Sequence, residues 1–189
     1  MPDLLRTPLF ERHRELGATL VEFGGWQMPI SYPGGIVQEH LATRDRAGIF
    51  DVTHMGRFRV HGRDALAFLQ HVLTNNAAAL EPGEAQYTMI ANPAGGAVDD
   101  AYLYRFLPDE YLLVVNASNR RRDWDHLQAQ RERTPQVVLE DLTAYMAMVS
   151  LQGPSAKEIL AAIVGQGRVP EPLRNRLGIA SFGGARMLI

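Results

Sequence analysis

The sequence predicts an α+β fold of mostly antiparallel sheets with flanking helices. Tight turns at Asn92-Pro93-Ala94-Gly95-Gly96 and at Leu107-Pro108-Asp109-Glu110 separate short apolar runs, and hairpins of that kind force neighbouring strands to run antiparallel. Helical patterns stand beside these runs but do not alternate with every one of them, as a doubly wound fold would require. The glycine pairs also fail to form a GxGxxG turn after a strand, which removes the dinucleotide-binding alternative.

Element by element, Pro8 to Leu16 reads as a short helix, with Thr7 as N-cap and Pro8 at the first helical position. Ala18 to Phe23 reads as a strand broken by Gly24-Gly25. Gly35 to Ala47 spaces Ile36, His40, Leu41 and Ala47 near helical period and stops at Gly48. Ile49 to Val60 alternates, with Phe50, Val52, Phe58 and Val60 on or near one face and an interruption at His54-Met55-Gly56. Asp64 opens a helix whose buried stripe is Leu66, Phe68, Leu69, Val72 and Leu73. The turn Glu81-Pro82-Gly83-Glu84 leads to the strand Ala85 to Ala91, and the two later turns deliver Val98 to Phe106 and Tyr111 to Val115. Asn119 to Arg133 reads as a helix with Trp124, Leu127 and Arg131 toward the core. Val137 to Leu142 and Tyr145 to Leu151 read as strands, Ser155 to Val164 as a helix, and Arg186 to Ile189 as the first half of a strand.

Composition bounds the function. The 19 basic and 21 acidic residues leave a net charge of −2, so nothing favours nucleic acid or an anionic membrane as partner. The chain has no cysteine, which excludes disulfides, thiolate metal sites and cysteine nucleophiles within it. Its six histidines show no HExxH or comparable spacing, and no metal site is expected. No apolar run approaches the roughly 18 to 20 residues that span a bilayer, and no secretory signal precedes the first helix. All basic residues but Lys157 are arginine, a skew that suits a GC-rich bacterial genome. A cytoplasmic bacterial protein is the expectation.

The chemistry concentrates at Gly95-Gly96-Ala97-Val98-Asp99-Asp100. Adjacent residues of a strand point to opposite faces, so one of these aspartates faces the covered side. A carboxylate there is costly unless it is paired or used, and it reads either as a structural hydrogen-bonder or as a functional acid.

Further blocks accompany the pair: Thr7-Pro8-Leu9-Phe10, Phe23-Gly24-Gly25-Trp26-Gln27-Met28-Pro29-Ile30, Arg44 to Met55, Gln86-Tyr87-Thr88-Met89, and Val114-Val115-Asn116-Ala117-Ser118-Asn119. In this order and spacing the chain resembles the N-terminal half of the glycine cleavage system T-protein, a tetrahydrofolate-dependent aminomethyltransferase. The resemblance implies a first domain of residues 1–55 plus 139–189, with 56–138 inserted into it as a second. The Pro-rich segment after Arg168 belongs to the outer domain on this reading. The resemblance also implies that the chain stops before the family's C-terminal barrel domain and before further folate-binding groups, so that it is inactive alone and leaves a sheet edge after Ile189. Partners would be the lipoylated H-protein and tetrahydrofolate. Asp100 takes the proton-transfer role, with Asp99 as the alternative or a turn residue. Met55, Tyr87 and Asn116 fall where the family contacts folate, against bland readings as core filler, strand aromatic and helix cap. A folate-dependent demethylase and a non-enzymatic folate-binding protein of iron–sulfur cluster maintenance share the fold. The Phe23 to Pro29 block and His54-Met55-Gly56 favour the aminomethyltransferase.

Overall fold

The computed structural model describes residues 4–164, 166–167, 169 and 175–189; most of the Pro-rich segment after Arg168 lies outside them. The helices are α1 (Phe10–Glu15), α2 (Ile36–Asp45), α3 (Ala65–Val72), α4 (Arg120–Gln130) and α5 (Ala156–Ile163). The strands are β1 (Thr19–Phe23), β2 (Trp26–Ser31), β3 (Gly48–Asp51), β4 (Gly56–His61), β5 (Glu84–Ala91), β6 (Ala97–Leu107), β7 (Glu110–Val115), β8 (Val138–Asp141), β9 (Val149–Gln152), β10 (Gln166–Gly167), β11 (Ile179–Phe182) and β12 (Ala185–Leu188). Every pair of these strands that shares a ladder is antiparallel, which is the α+β class the turns predict.

The chain divides into two compact units, Met1–His54 with Tyr145–Val164, and Met55–Ala144 with Gly165–Ile189. This differs from the expected division at three places, the first being Met55, which groups with the inserted segment. Strand β8 pairs with β4, so residues 139–144 group with the inserted segment. The hairpin β11–β12 groups there too: the Ala85 N–H donates to the Asn175 carbonyl at 3.0 Å, and the Leu177 N–H donates to that of Gly83 at 3.0 Å.

In the first unit β1 and β2 form a hairpin. The sequence predicts only the first of these strands. Gly24 and Gly25 both take positive φ, 58° and 86°, so they reverse the chain instead of ending the sheet. Pro29 is accommodated because a two-stranded sheet has only edges. Thr7 does not cap α1 with its side chain. Its hydroxyl donates instead to Asp51 Oδ2 at 2.6 Å. His13 completes a buried relay, with Nε2 3.0 Å from Asp51 Oδ2 and Nδ1 2.8 Å from the Tyr32 hydroxyl. Burial raises the Asp51 pKa, but hydrogen bonds from His13, Thr53 and Thr7 outweigh it and hold the carboxyl below its ordinary value. The apolar residues of α2 at helical spacing, Ile36 and Leu41, are exposed. The alternating run from Ile49 to Val60 is split between two sheets, because Thr53 turns the chain: its N–H donates to Asp51 Oδ1 at 2.9 Å and its hydroxyl to the Met148 carbonyl at 3.0 Å. Of the strand expected from Tyr145, only Val149 to Gln152 forms, and Tyr145 is exposed.

Gly153, just past β9, sits at φ 117°, and a Cβ there would lie 2.5 Å from the Thr43 carbonyl oxygen and 2.6 Å from that of Arg46. Gly153→Ala therefore loses on the order of 2–5 kcal/mol, from left-handed strain and overpacking together. Gly95→Ala, at φ 81° with nothing within 4 Å, loses about 1 kcal/mol. Equal urea midpoints for the two variants would contradict the packing argument.

The second unit is built on a five-stranded sheet ordered β5-β6-β7-β4-β8. Strict alternation puts Phe58, Val60, Ala101, Leu103, Leu113, Val115 and Ile90 on one face, where Phe68, Leu69 and Val72 of α3 and Leu127 of α4 cover them. Each fully buried side chain of this size contributes about 1.5–3 kcal/mol, so this cluster fixes the register of every strand. Trp124 packs on the cluster while only partly buried, whereas Arg131, expected to face the core, is exposed.

Candidate active site

The opposite face of the same sheet carries the candidate site. The register places Met89 of β5 opposite Asp100 of β6, and Tyr87 opposite Tyr102. Since Ala101 pairs with Val115 and Val115 with Gly56, continuing the rows by one residue aligns Asp100, Asn116 and Met55 at one end of the sheet. The row behind them holds Tyr87, Tyr102, Val114 and Arg57.

Asp99 and Asp100 do point to opposite faces. Asp99 is 7% exposed and lies on the helix-covered side with Ala101 and Leu103, while Asp100 is half-buried on the other. The link between them is Asn116, whose Nδ2 donates to Asp99 Oδ1 at 3.0 Å and to Asp100 Oδ1 at 2.8 Å. Asn116 sits one residue past β7, so its side chain reaches over the end of β6. Asn116 is therefore not the cap of α4 by its side chain. Asn119 takes the N-cap position, and its side chain also turns to Asp99, with Nδ2 donating to Oδ1 at 2.8 Å. The Asn116 N–H adds a bond to Asp99 Oδ2 at 3.2 Å.

These donors decide the charge. Burial pushes the Asp99 pKa up, but hydrogen bonds from Asn116, Asn119 and Asp123 outweigh it and hold the group below its ordinary value. Asp99 is thus a buried, satisfied anion, not a turn residue. Asp123 of α4 is 0% exposed. Burial first, then its hydrogen bond to Asp99 and the charge of Asp99, push its pKa up to about 8. Tyr87 is 54% exposed and stands beside the Asp100 carboxylate. Its hydroxyl pKa is raised by desolvation and by that carboxylate. The Tyr102 ring leans on Tyr87 at 6.5 Å and on Tyr104 at 5.3 Å between centroids, which extends an aromatic surface beside Asp100.

Asp100 and Asn116 are therefore joined by a hydrogen bond, and Tyr87 stands beside them on the same face of the sheet. Met55 is placed through its backbone, since its carbonyl accepts from Arg57 Nη1 at 2.5 Å. Asn119 and Asp123 were not legible as site residues. A signal existed: Asn119, Asp123 and Leu127 recur at intervals of four, so an acid occupies the stripe that also carries a core leucine. Among the described residues no cluster of three or more histidine or acidic side chains is arranged to hold a metal. No described helix is long and apolar enough to cross a membrane.

Known proteins share this architecture. A solved aminomethyltransferase T of the glycine cleavage system from Bartonella henselae superposes with a TM-score of 0.82 at 34% identity, covering 94% of this chain and 50% of that one. The fold is that of the T-protein class. Residues 9–171 match the GCVT N-terminal domain family, and the chain belongs to it. Aminomethyltransferases of Desulfitobacterium hafniense and Thermus thermophilus are 47% identical over 160 residues and 50% identical over 159. Those matches cover 85% and 84% of this chain but 43% and 45% of the relatives. The chain spans less than half the length of the curated relatives it matches.

Proposed function

We propose that this chain supplies the folate-facing half of a tetrahydrofolate-dependent aminomethyltransferase of the glycine cleavage system. In that reaction the methylene of an aminomethyl group held on the lipoyl arm of the H-protein passes to tetrahydrofolate, ammonia leaves, and the dihydrolipoyl arm is returned. The observation that carries the reading is the Asp100 carboxylate, oriented by Asn116 Nδ2 at 2.8 Å beside an aromatic surface of Tyr87 and Tyr102.

The residues present fit a pterin. A flat heteroaromatic ring with N–H groups on its edge needs an apolar face and a fixed acceptor, and Tyr87, Met89 and Asp100 offer both. When bound, tetrahydrofolate supplies the nucleophilic nitrogen. Asp100 accepts a proton from that nitrogen and stabilises positive charge developing at the methylene carbon. Asn116 holds the carboxylate in place on rigid strand backbone. Tyr87 shields the same carboxylate from water on one side.

Titrating the chain with tetrahydrofolate while following amide and tyrosine NMR signals tests the reading. Shifts should centre on Tyr87, Asp100, Tyr102 and Asn116 and be lost in Asp100→Ala. Saturable shifts elsewhere, or none at millimolar ligand, would sink it.

A further inference from the structure

Asp123 is a buried acid that the reading above does not use. Its two oxygens are buried and receive no N–H or O–H donor from the described residues, and they face the carboxylate of Asp99. Two facing carboxylates hydrogen-bond only when one of them is protonated. Asp99 has three N–H donors, from the Asn116 side chain, the Asn116 backbone and Asn119, and each stabilises an anion. Asp123 has none of these. Arg122 Nε lies 4.0 Å away on an exposed side chain that bonds to the Val98 carbonyl, and so compensates weakly. Asp100 on β6 adds a second negative charge nearby. His126, one turn further along α4, is engaged with the Ala91 carbonyl at 3.1 Å.

We propose that Asp123 and Asp99 share one proton, with Asp123 the acid and Asp99 the anion, and that this pair positions Asp100 through the bridging amide of Asn116. Asp99 must stay an acceptor on Oδ1 for Asn116 to present its second N–H to Asp100. A hydroxyl donated from Asp123 keeps it so, and it removes the repulsion of two buried anions. Asp99 and Asp123 are positioning residues that act from the far side of the sheet. Their role in catalysis rests on the function proposed above, whereas the shared proton does not.

The sign follows from the raised pKa of Asp123, about 8 in the fold. Stability that depends on its proton is complete below about pH 4 and is lost as pH rises through about 8. The unfolding midpoint of the chain should fall from about pH 5 to about pH 8 and fall less in Asp123→Asn, which keeps the shape and donates an N–H but cannot ionise. Two spectroscopic measurements, made on the unmodified chain and compared with folded variants, read the proton directly. Infrared spectroscopy at about pH 6 should show a protonated carboxyl band, absent from Asp123→Asn and retained in Asp100→Asn. The side-chain amide signals of Asn116 should titrate with a midpoint near pH 8, and stay flat in Asp123→Asn. Absence of the infrared band, or an Asn116 titration that survives in Asp123→Asn, would overturn the proposal. Neither measurement needs folate, so a failure of tetrahydrofolate binding leaves the proton pair standing and removes only its link to catalysis.

Discussion

Asparagine at position 100 lowers aminomethyl-transfer turnover by roughly 10²- to 10⁴-fold, measured in a protein that joins this chain to the remaining length of the Thermus thermophilus relative. The assay follows methylene-tetrahydrofolate formed with lipoylated H-protein as donor. Asparagine keeps the size of the side chain and still accepts from Asn116 Nδ2, so the fold and the geometry of the bridge persist. It cannot take a proton from the attacking nitrogen or balance positive charge on the methylene. The loss should fall on kcat more than on folate affinity, since the carboxylate acts on charge that grows only in the transition state. Asp99→Asn separates the two faces of the strand. That change disturbs a buried anion fed by Asn116 and Asn119, so it should lower the urea midpoint first and turnover per folded molecule less. If Asp99→Asn cuts turnover more than Asp100→Asn at equal stability, the assignment of faces to roles is wrong.

The hairpin order of β5, β6 and β7 and the helix α3 were readable because each strand is bounded by a turn, although the alternation of β6 lapses toward Phe106 and β7 is apolar throughout. In the sequence Ala101 and Leu103 decide the covered face of β6 only partly, and their burial in the fold settles it. The blocks around Phe23 and Asp100 likewise announced the family. What could not be read depended on residues far apart in sequence. Strand β8 joins β4 across about 80 positions through Val60 and Leu139, and no local period records that partner. The helix α2 forms where the spacing predicts it, but spacing does not record what covers its stripe, and Ile36 and Leu41 are exposed. At the site, Asp100, Tyr87 and Asn116 were nameable by resemblance. Asp123 was hidden inside the charged run Arg120-Arg121-Arg122-Asp123, where a solvated helix face is the ordinary meaning. Only the position of Leu127 one turn later hinted that this acid faces inward.

Removing the guanidinium of Arg57 should be the most damaging single change to the second unit. Arg57 is 1% exposed, on β4. Its Nη1 donates to the Met55 carbonyl at 2.5 Å and its Nη2 to the Thr143 carbonyl at 2.6 Å, while its backbone N–H donates to the Thr143 hydroxyl at 3.0 Å. One planar fork thus ties the residue that precedes β4 to the segment that follows β8. Arg57→Met fills much of the volume but leaves two carbonyls without this donor, at about 1–3 kcal/mol each. The expected loss is about 3–5 kcal/mol, a large share of the roughly 5–15 kcal/mol that a domain typically has. Arg57→Lys should rescue little, because a single ammonium on a flexible stem lacks the fixed fork that meets both carbonyls. The damage should also reach the site, since the Met55 carbonyl is what Arg57 grips. Chemical unfolding checks the first claim, and loss of tetrahydrofolate-induced shifts in the folded fraction checks the second. Full stability of Arg57→Lys would show that charge alone, and not the forked geometry, holds these two segments together.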